Sequence, residues 1–251
     1  MLSEELMRTL RLQQILNDEY GVEKLEMFIK GFCSDRFNPK PETARALGFA
    51  RTLHGDQKRD DGRLYIHHPF FMACLGICLG LTDDELIAIT LLHDVCEDTT
   101  CDVDDLPFNK SVQEGVHRLT FEVREGQDKR EAKHEYFDQL TYSYHIFVIK
   151  ALDRLYSLCT AVGAISQQRI VNNILETHQM FLPRFSLAQE YFPEYTQPLF
   201  VLENLLRALT NIHAIYNGID LTQYPPYPLD GPLFLRAIFS SKQNPQATTQ
   251  G

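Results

Sequence analysis

Directly after a nearly apolar run, LIAITLL at 86–92, the chain sets His93, Asp94, Glu97 and Asp98 in the segment HDVCED. On a helix His93 and Glu97 stand one turn apart, as do Asp94 and Asp98. Four ionisable groups crowded at the end of a helix destined for the core are costly to bury without partners. Whatever fold the chain adopts must therefore bring a cation or a salt-bridge network to this point, or leave it as a solvated helix end. The segment alone does not choose between these.

The remaining pattern is helical almost throughout. Apolar positions recur at three and four spacing over residues 2–17, 21–31, 42–54, 111–122, 144–162, 166–180 and 195–217, while β alternation is sparse. Thr82 and Glu85 have the spacing of a capping box opening LIAITLLHDVCED. The polar loop GDQKRDDGR lies ahead of LYIHHP, whose proline suits a helix start, and EVREGQDKREAKH reads as a solvated loop or helix start. The expected fold is all-α. Its expected divisions are an N-terminal helical extension at 1–41, a main domain at 42–190, a C-terminal helical region at 191–240 and a disordered tail at 241–251. The apolar faces of LEMFIKGF and LFVLENLLRAL either cover the core or join two copies into a homo-oligomer, core packing being the simpler use.

Totals exclude several classes. A net charge of -10 argues against a general nucleic-acid binder, whose surface must be basic, but leaves room for a small anionic ligand held by local cations. No apolar run approaches the roughly 20 residues needed to cross a bilayer, and the run from Phe70 to Leu81 reads as a buried helix. The six cysteines form no CxxC pair, which argues against a zinc knuckle and fits a reduced, cytoplasmic protein. Cys74 and Cys78, four apart, are read as core residues of one helix face.

Two further sites hold ionisable groups in apolar surroundings. His67 and His68 precede Pro69, and only one of them can face a given point because consecutive side chains diverge. Asp153 interrupts IFVIKALDRLYSL. A structural histidine, and an ion pair of Asp153 with Lys150 or Arg154, are the plain alternatives to metal binding. Two imidazoles and two carboxylates together make a mixed nitrogen and oxygen set suited to manganese, iron or zinc.

The order His, His-Asp, Asp resembles that of the HD phosphohydrolase superfamily. More narrowly, HGDQKRDDGRLYIHHP, LLHDVCEDT and KALDRLYSLCT are similar, in order and spacing, to HxGQxRxxGxPYxxHP, LLHDVxEDT and KLADRLHNMRT of the RelA/SpoT-homologue hydrolase domain, over roughly residues 42–185. The resemblance implies an HD-domain helical bundle with His68, His93, Asp94 and Asp153 as metal ligands and manganese as the expected cation. It implies that Glu97 and Asp98 handle the attacking water and its proton, that Arg59 stacks on a guanine base, and that Thr160 lines the nucleotide pocket; Ser157, on the helix face of Asp153 and Thr160, is expected in that pocket too, with Lys58 as a candidate phosphate cation. The implied reaction releases pyrophosphate from the 3′ position of ppGpp or pppGpp.

Departures fall in the nucleotide pocket. Ser157 stands where the family has asparagine, Tyr156 where it has histidine, Asp60 where many members have lysine, and Leu64 where a proline precedes the tyrosine. Serine is shorter and offers fewer hydrogen bonds, and Asp60 would repel a polyphosphate unless turned away; Lys58 or Arg63 is then the replacement cation. These changes keep open a second substrate class, another nucleotide or phosphoester such as NADPH, and a third reading as a non-catalytic nucleotide sensor. The intact Glu97 and Asp98 argue against the sensor.

Overall fold

The computed structural model describes residues 21–59, 62–161 and 165–229. The expected helix over 2–17, the carboxylate of Asp60 and the tail beyond Ser240 lie outside the described residues. Within them the architecture is all-α, with no strand and one isolated bridge, Lys58 to Leu64, across the GDQKRDDGR loop.

Two helices are wrapped by the others because their sequences bring apolar residues to most of their surface, the second keeping one polar stripe for the site described below. In α4 (Asp84–Leu92) every residue from Leu86 to Leu92 is buried, and in α8 (Tyr144–Thr160) so are Ile146 to Ile149, Ala151, Leu152, Leu155 and Leu158. A helix this apolar is stable only inside a bundle. Around α4 pack α2 (Pro41–His54), α3 (His67–Cys78) and α6 (Lys110–Leu119). Gly115 of α6 makes the last approach close, since a Cβ there would stand 2.4 Å from Ile89 Cδ1. The helix α1 (Val22–Cys33) lies on α3 through Val22, Leu25 and Ile29. At the other end α11 (Thr196–Tyr216) covers α8 with Leu199, Leu202 and Leu206. Both flanking apolar faces thus join the same core as the central helices.

The start of α4 departs from the expected capping box. Asp83, not Thr82, is its N-cap and accepts a hydrogen bond from the Leu86 amide at 2.9 Å. Glu85 instead accepts from Asn109 Nδ2 and Ser111 Oγ at the head of α6. Asp84 reaches across to the head of α2, accepting from the amides of Glu42 (3.1 Å) and Thr43 (2.8 Å) and from the Thr43 hydroxyl. Lys40, the N-cap of α2, provides no side-chain cap there, so the orphan amides of one helix are satisfied by a carboxylate of another. Three successive acids tie three helix starts together, and Asp84→Ala is expected to lower stability by about 1–2 kcal/mol in chemical denaturation.

Two helices have weak sequence signals. Capped by Asp128, α7 (Lys129–Leu140) buries only Ala132, Phe137 and Leu140 of a highly charged segment. The segment expected as one helix over 166–180 divides into α9 (Gln167–Glu176) and a π-helical turn, Thr177–Phe181, and α10 (Arg184–Tyr191) follows. Cys74 is buried, but Cys78 at the end of α3 is exposed, contrary to the expectation of a shared core face. No helix among the described residues is long and apolar enough to cross a membrane.

Candidate active site

The helical run through HDVCED breaks at His93 and Asp94, and a single turn, α5 (Val95–Asp98), resumes after them. The four ionisable groups therefore do not share one helix face. His93 and Asp94 turn inward toward α3, Asp98 turns toward Tyr65, and Glu97 turns toward the end of α6. There the Phe121 amide donates to Glu97 Oε1 at 2.8 Å.

At the head of α3 the adjacent histidines diverge. His67 Nδ1 lies 2.9 Å from the Tyr156 hydroxyl, whereas His68 Nε2 lies 3.1 Å from His93 Nε2. One ligand atom from each of His68, His93 and Asp94 lies within 4.8 Å of the other two. Asp94 Oδ1 is 3.0 Å from His93 Nε2, and Oδ2 is 3.2 Å from His68 Nε2. Asp153 of α8 approaches the same nitrogen, with Oδ1 3.4 Å from His68 Nε2 and Oδ2 2.8 Å from Lys150 Nζ. The ion pair and the approach to the histidine coexist because each uses a different carboxylate oxygen.

Several observations suit this cluster to a divalent cation. The Thr90 carbonyl, 2.8 Å from His93 Nδ1, fixes a proton on that nitrogen and leaves Nε2 as the donor atom facing Asp94 and His68. Burial opposes charge on Asp94, yet the adjacent His93 and His68 outweigh it and hold the carboxyl well below its usual range. Burial likewise opposes charge on Asp153, and Lys150 followed by His68 outweighs it. Two anionic carboxylates and two imidazoles converging in a buried corner form a mixed donor set that a divalent metal can satisfy.

Tyr65, not singled out from the sequence, joins the cluster to the acids beyond. Its hydroxyl lies 2.7 Å from Asp94 Oδ2 and is also hydrogen-bonded to Asp98 Oδ2. A phenol has one proton, so it serves one carboxylate at a time. Its ring stacks on buried His54 at 4.7 Å, and His54 Nδ1 is in turn 2.9 Å from Gln57 Oε1. Partial burial, opposed mainly by the Phe121 amide, pushes the Glu97 carboxyl above its ordinary value.

Beside Tyr65 and Asp98 opens a cavity of about 360 Å³. Lys58, Arg59, Ser157 and Thr160, all expected at the ligand, line it together with Arg169 and Asn173 of α9. The Arg59 guanidinium lies over the Tyr65 and Tyr156 rings, 5.2 and 5.3 Å from their centroids, so this side chain already occupies an aromatic stacking position. Thr160 donates its hydroxyl to the Tyr156 carbonyl, leaving its oxygen toward the cavity as an acceptor. Lys150 is committed to Asp153 and Arg154 to Glu176. The contribution of α9 carried no local signal in the sequence, because it depends on the chain returning to this wall after residue 165.

No family model matches the chain. The guanosine-3′,5′-bis(diphosphate) 3′-pyrophosphohydrolase MESH1 of Mus musculus is 34% identical over 129 residues, which cover 47% of this chain and 71% of that protein. The chain belongs to the RelA/SpoT-homologue hydrolase family. A larger family member, the bifunctional (p)ppGpp synthase/hydrolase SpoT of Escherichia coli (strain K12), is 33% identical over 150 residues, 55% of this chain. The match covers only 21% of that protein, so the chain corresponds to about a fifth of its length. A solved structure of a metazoan SpoT orthologue aligns with 72% of this chain and 98% of its own at 21% identity and a TM-score of 0.48.

Proposed function

We propose that this chain is a divalent-metal-dependent (p)ppGpp 3′-pyrophosphohydrolase, releasing pyrophosphate to leave GDP or GTP. The observation that carries this reading is the shared wall. Tyr65 and Asp98 line the cationic cavity while Tyr65 touches Asp94 of the His68–His93–Asp94 cluster. A polyphosphate held by Lys58 and Arg59 therefore lies beside the cluster. The named activities of the mouse and bacterial relatives support the choice of substrate.

His68, His93, Asp94 and Asp153 are the residues assigned to hold the cation, and manganese is the ion proposed. When bound, such an ion lowers the pKa of a water and polarises a phosphoryl oxygen. Asp98, at the boundary of cluster and cavity, is assigned to orient the attacking water, and Glu97 to accept its proton. A carboxyl raised above its ordinary value is the better proton carrier near neutral pH. As the water oxygen bonds to phosphorus, the bond from phosphorus to the ribose 3′ oxygen breaks, and the 3′ oxygen takes up a proton. Arg59 is assigned to the base, Lys58 to phosphate, and Ser157 and Thr160 to the nucleoside. Tyr65 positions Asp94 and Asp98, and Tyr65→Phe is expected to lower manganese affinity or kcat by about 10–100-fold.

Residues 42–190 are proposed as the hydrolase region, with 1–41 and 191–240 as its extensions. The six free cysteines suit a reducing, cytoplasmic setting. A second reading, hydrolysis of another phosphoester such as NADPH, is favoured by Ser157, which weakens the pocket's specificity for guanosine. The test is an assay of the purified protein with manganese against ppGpp, NADPH and a nucleotide panel, with chelator controls. Pyrophosphate release from ppGpp that chelation abolishes is expected. Orthophosphate release from NADPH alone would support the second reading, and tight nucleotide binding without turnover would support a sensor.

A further inference from the structure

The cavity wall carries two carboxamides, and they differ in what they are free to do. Gln57 is committed at both ends, its Oε1 2.9 Å from His54 Nδ1 and its Nε2 donating to the Asp98 carbonyl at 3.4 Å. Asn173 is half-buried on the same wall, and its carboxamide makes no hydrogen bond among the described residues. Its backbone belongs to the helix, the carbonyl accepting from the Thr177 amide and, at 2.6 Å, from the Thr177 hydroxyl. The other uncharged polar groups there are more limited. Thr160 has spent its proton on the Tyr156 carbonyl, and Ser157 is a short hydroxyl at a position where the resembling family carries asparagine.

We propose that Asn173 is a specificity-determining residue, contributing from α9 the carboxamide contact to the nucleoside that Ser157 is too short to make from α8. A carboxamide offers both donor and acceptor, as needed to match the edge of a base or a ribose hydroxyl. One turn earlier Arg169 lines the same cavity, so α9 presents a cation and an amide on one face. In this chain the cavity's uncommitted amide comes from α9, while α8 brings the hydroxyls of Ser157 and Thr160. This inference rests on the nucleotide hydrolase reading.

The experiment measures ppGpp turnover with manganese, and ppGpp affinity by calorimetry without added metal, for four proteins: wild type, Asn173→Ala, Ser157→Asn and the double variant. Loss of one hydrogen bond predicts a roughly 3–10-fold rise in KM and Kd for Asn173→Ala with kcat unchanged. Adding Ser157→Asn to that variant is expected to restore both constants to within about twofold of wild type, a rescue that a purely structural role for Asn173 would not give. If Asn173→Ala does not fold, Asn173→Asp keeps the size, removes the donors and is expected to weaken binding likewise. Unchanged KM and Kd in an active wild-type background would overturn the assignment and leave the hydrolase reading intact. A wild type that binds ppGpp without hydrolysing it, with Kd still raised in Asn173→Ala, would uphold the contact and remove the hydrolase reading. Absence of ppGpp binding would overturn both.

Discussion

Asp94→Ala is expected to lower manganese-dependent ppGpp hydrolysis by about a thousandfold or more, because Lewis-acid stabilisation of several kcal/mol converts to a factor of ten for about each 1.36 kcal/mol. Asp94 is the residue through which the other parts meet. One oxygen lies 3.0 Å from His93, and the other lies within 3.2 Å of His68 and 2.7 Å of Tyr65. Its removal leaves two neighbouring imidazoles without the carboxylate that gathers them. Glu97→Gln provides the contrast. It keeps the acceptor for the Phe121 amide and removes only the proton-accepting function, so kcat should fall by about 10²–10⁴-fold while metal binding persists. Parallel measurements of kcat and of manganese affinity check the pair. Equal loss of metal binding in both variants would contradict the division of roles.

The second large effect concerns stability. Arg184 is fully buried, with 0% of its surface exposed. Its Nε donates to Asp138 Oδ1 at 2.9 Å, its Nη2 to the His134 carbonyl at 3.3 Å, and its Nη1 to the Met180 carbonyl. One guanidinium thus ties α7 to the π-helical turn and to α10. Arg184→Met retains the bulk and removes every donor, leaving the part-buried Asp138 carboxylate to His134, whose Nδ1 is 3.1 Å from Oδ2. The expected destabilisation is about 3–5 kcal/mol in chemical denaturation. At about 2–4 °C per kcal/mol for a domain of this size, Tm should fall by roughly 10 °C. Adding Asp138→Asn to Arg184→Met is expected to recover part of the loss, because a neutral amide is less costly to strand than a carboxylate. A single variant within about 1 kcal/mol of wild type would show that water replaces the clamp.

The contrast between α4 and α10 shows what the sequence made legible. A nearly apolar segment such as LIAITLL, whose one hydroxyl bonds back to the Leu86 carbonyl, has no stable place except the centre of a helical bundle, and it occupies that place. RFSLAQEY gives no such sign, since one of its fully buried members is an arginine whose carboxylate partner lies 46 positions earlier. Polarity ordinarily marks the surface, so a buried guanidinium clamp reads as solvent-exposed until its partners are known. The same limit explains the acids before α4. Local spacing names Thr82 and Glu85 as a capping box, and only the fold shows Asp83 as the cap and the head of α2 as the partner of Asp84.

In the candidate site, the ligand set His68, His93, Asp94 and Asp153 came from the family resemblance; from the residues alone only the rarity of ionisable groups within apolar segments was readable. Their separate uses were not. Glu97 meets the Phe121 amide and Asp98 meets Tyr65, partners that no local spacing names. Tyr65 was hidden for a related reason. A tyrosine beside a histidine pair is unremarkable in sequence, and only the fold brings its hydroxyl between two carboxylates. Asn173 belongs to the cavity through the path of the chain alone.

The most direct measurement is product analysis by anion-exchange chromatography after incubating the purified protein with manganese and ppGpp. The proposed function predicts GDP and inorganic pyrophosphate in equal amounts, absent with chelator and absent in Asp94→Ala. Intact ppGpp, or release of orthophosphate without pyrophosphate, would contradict it.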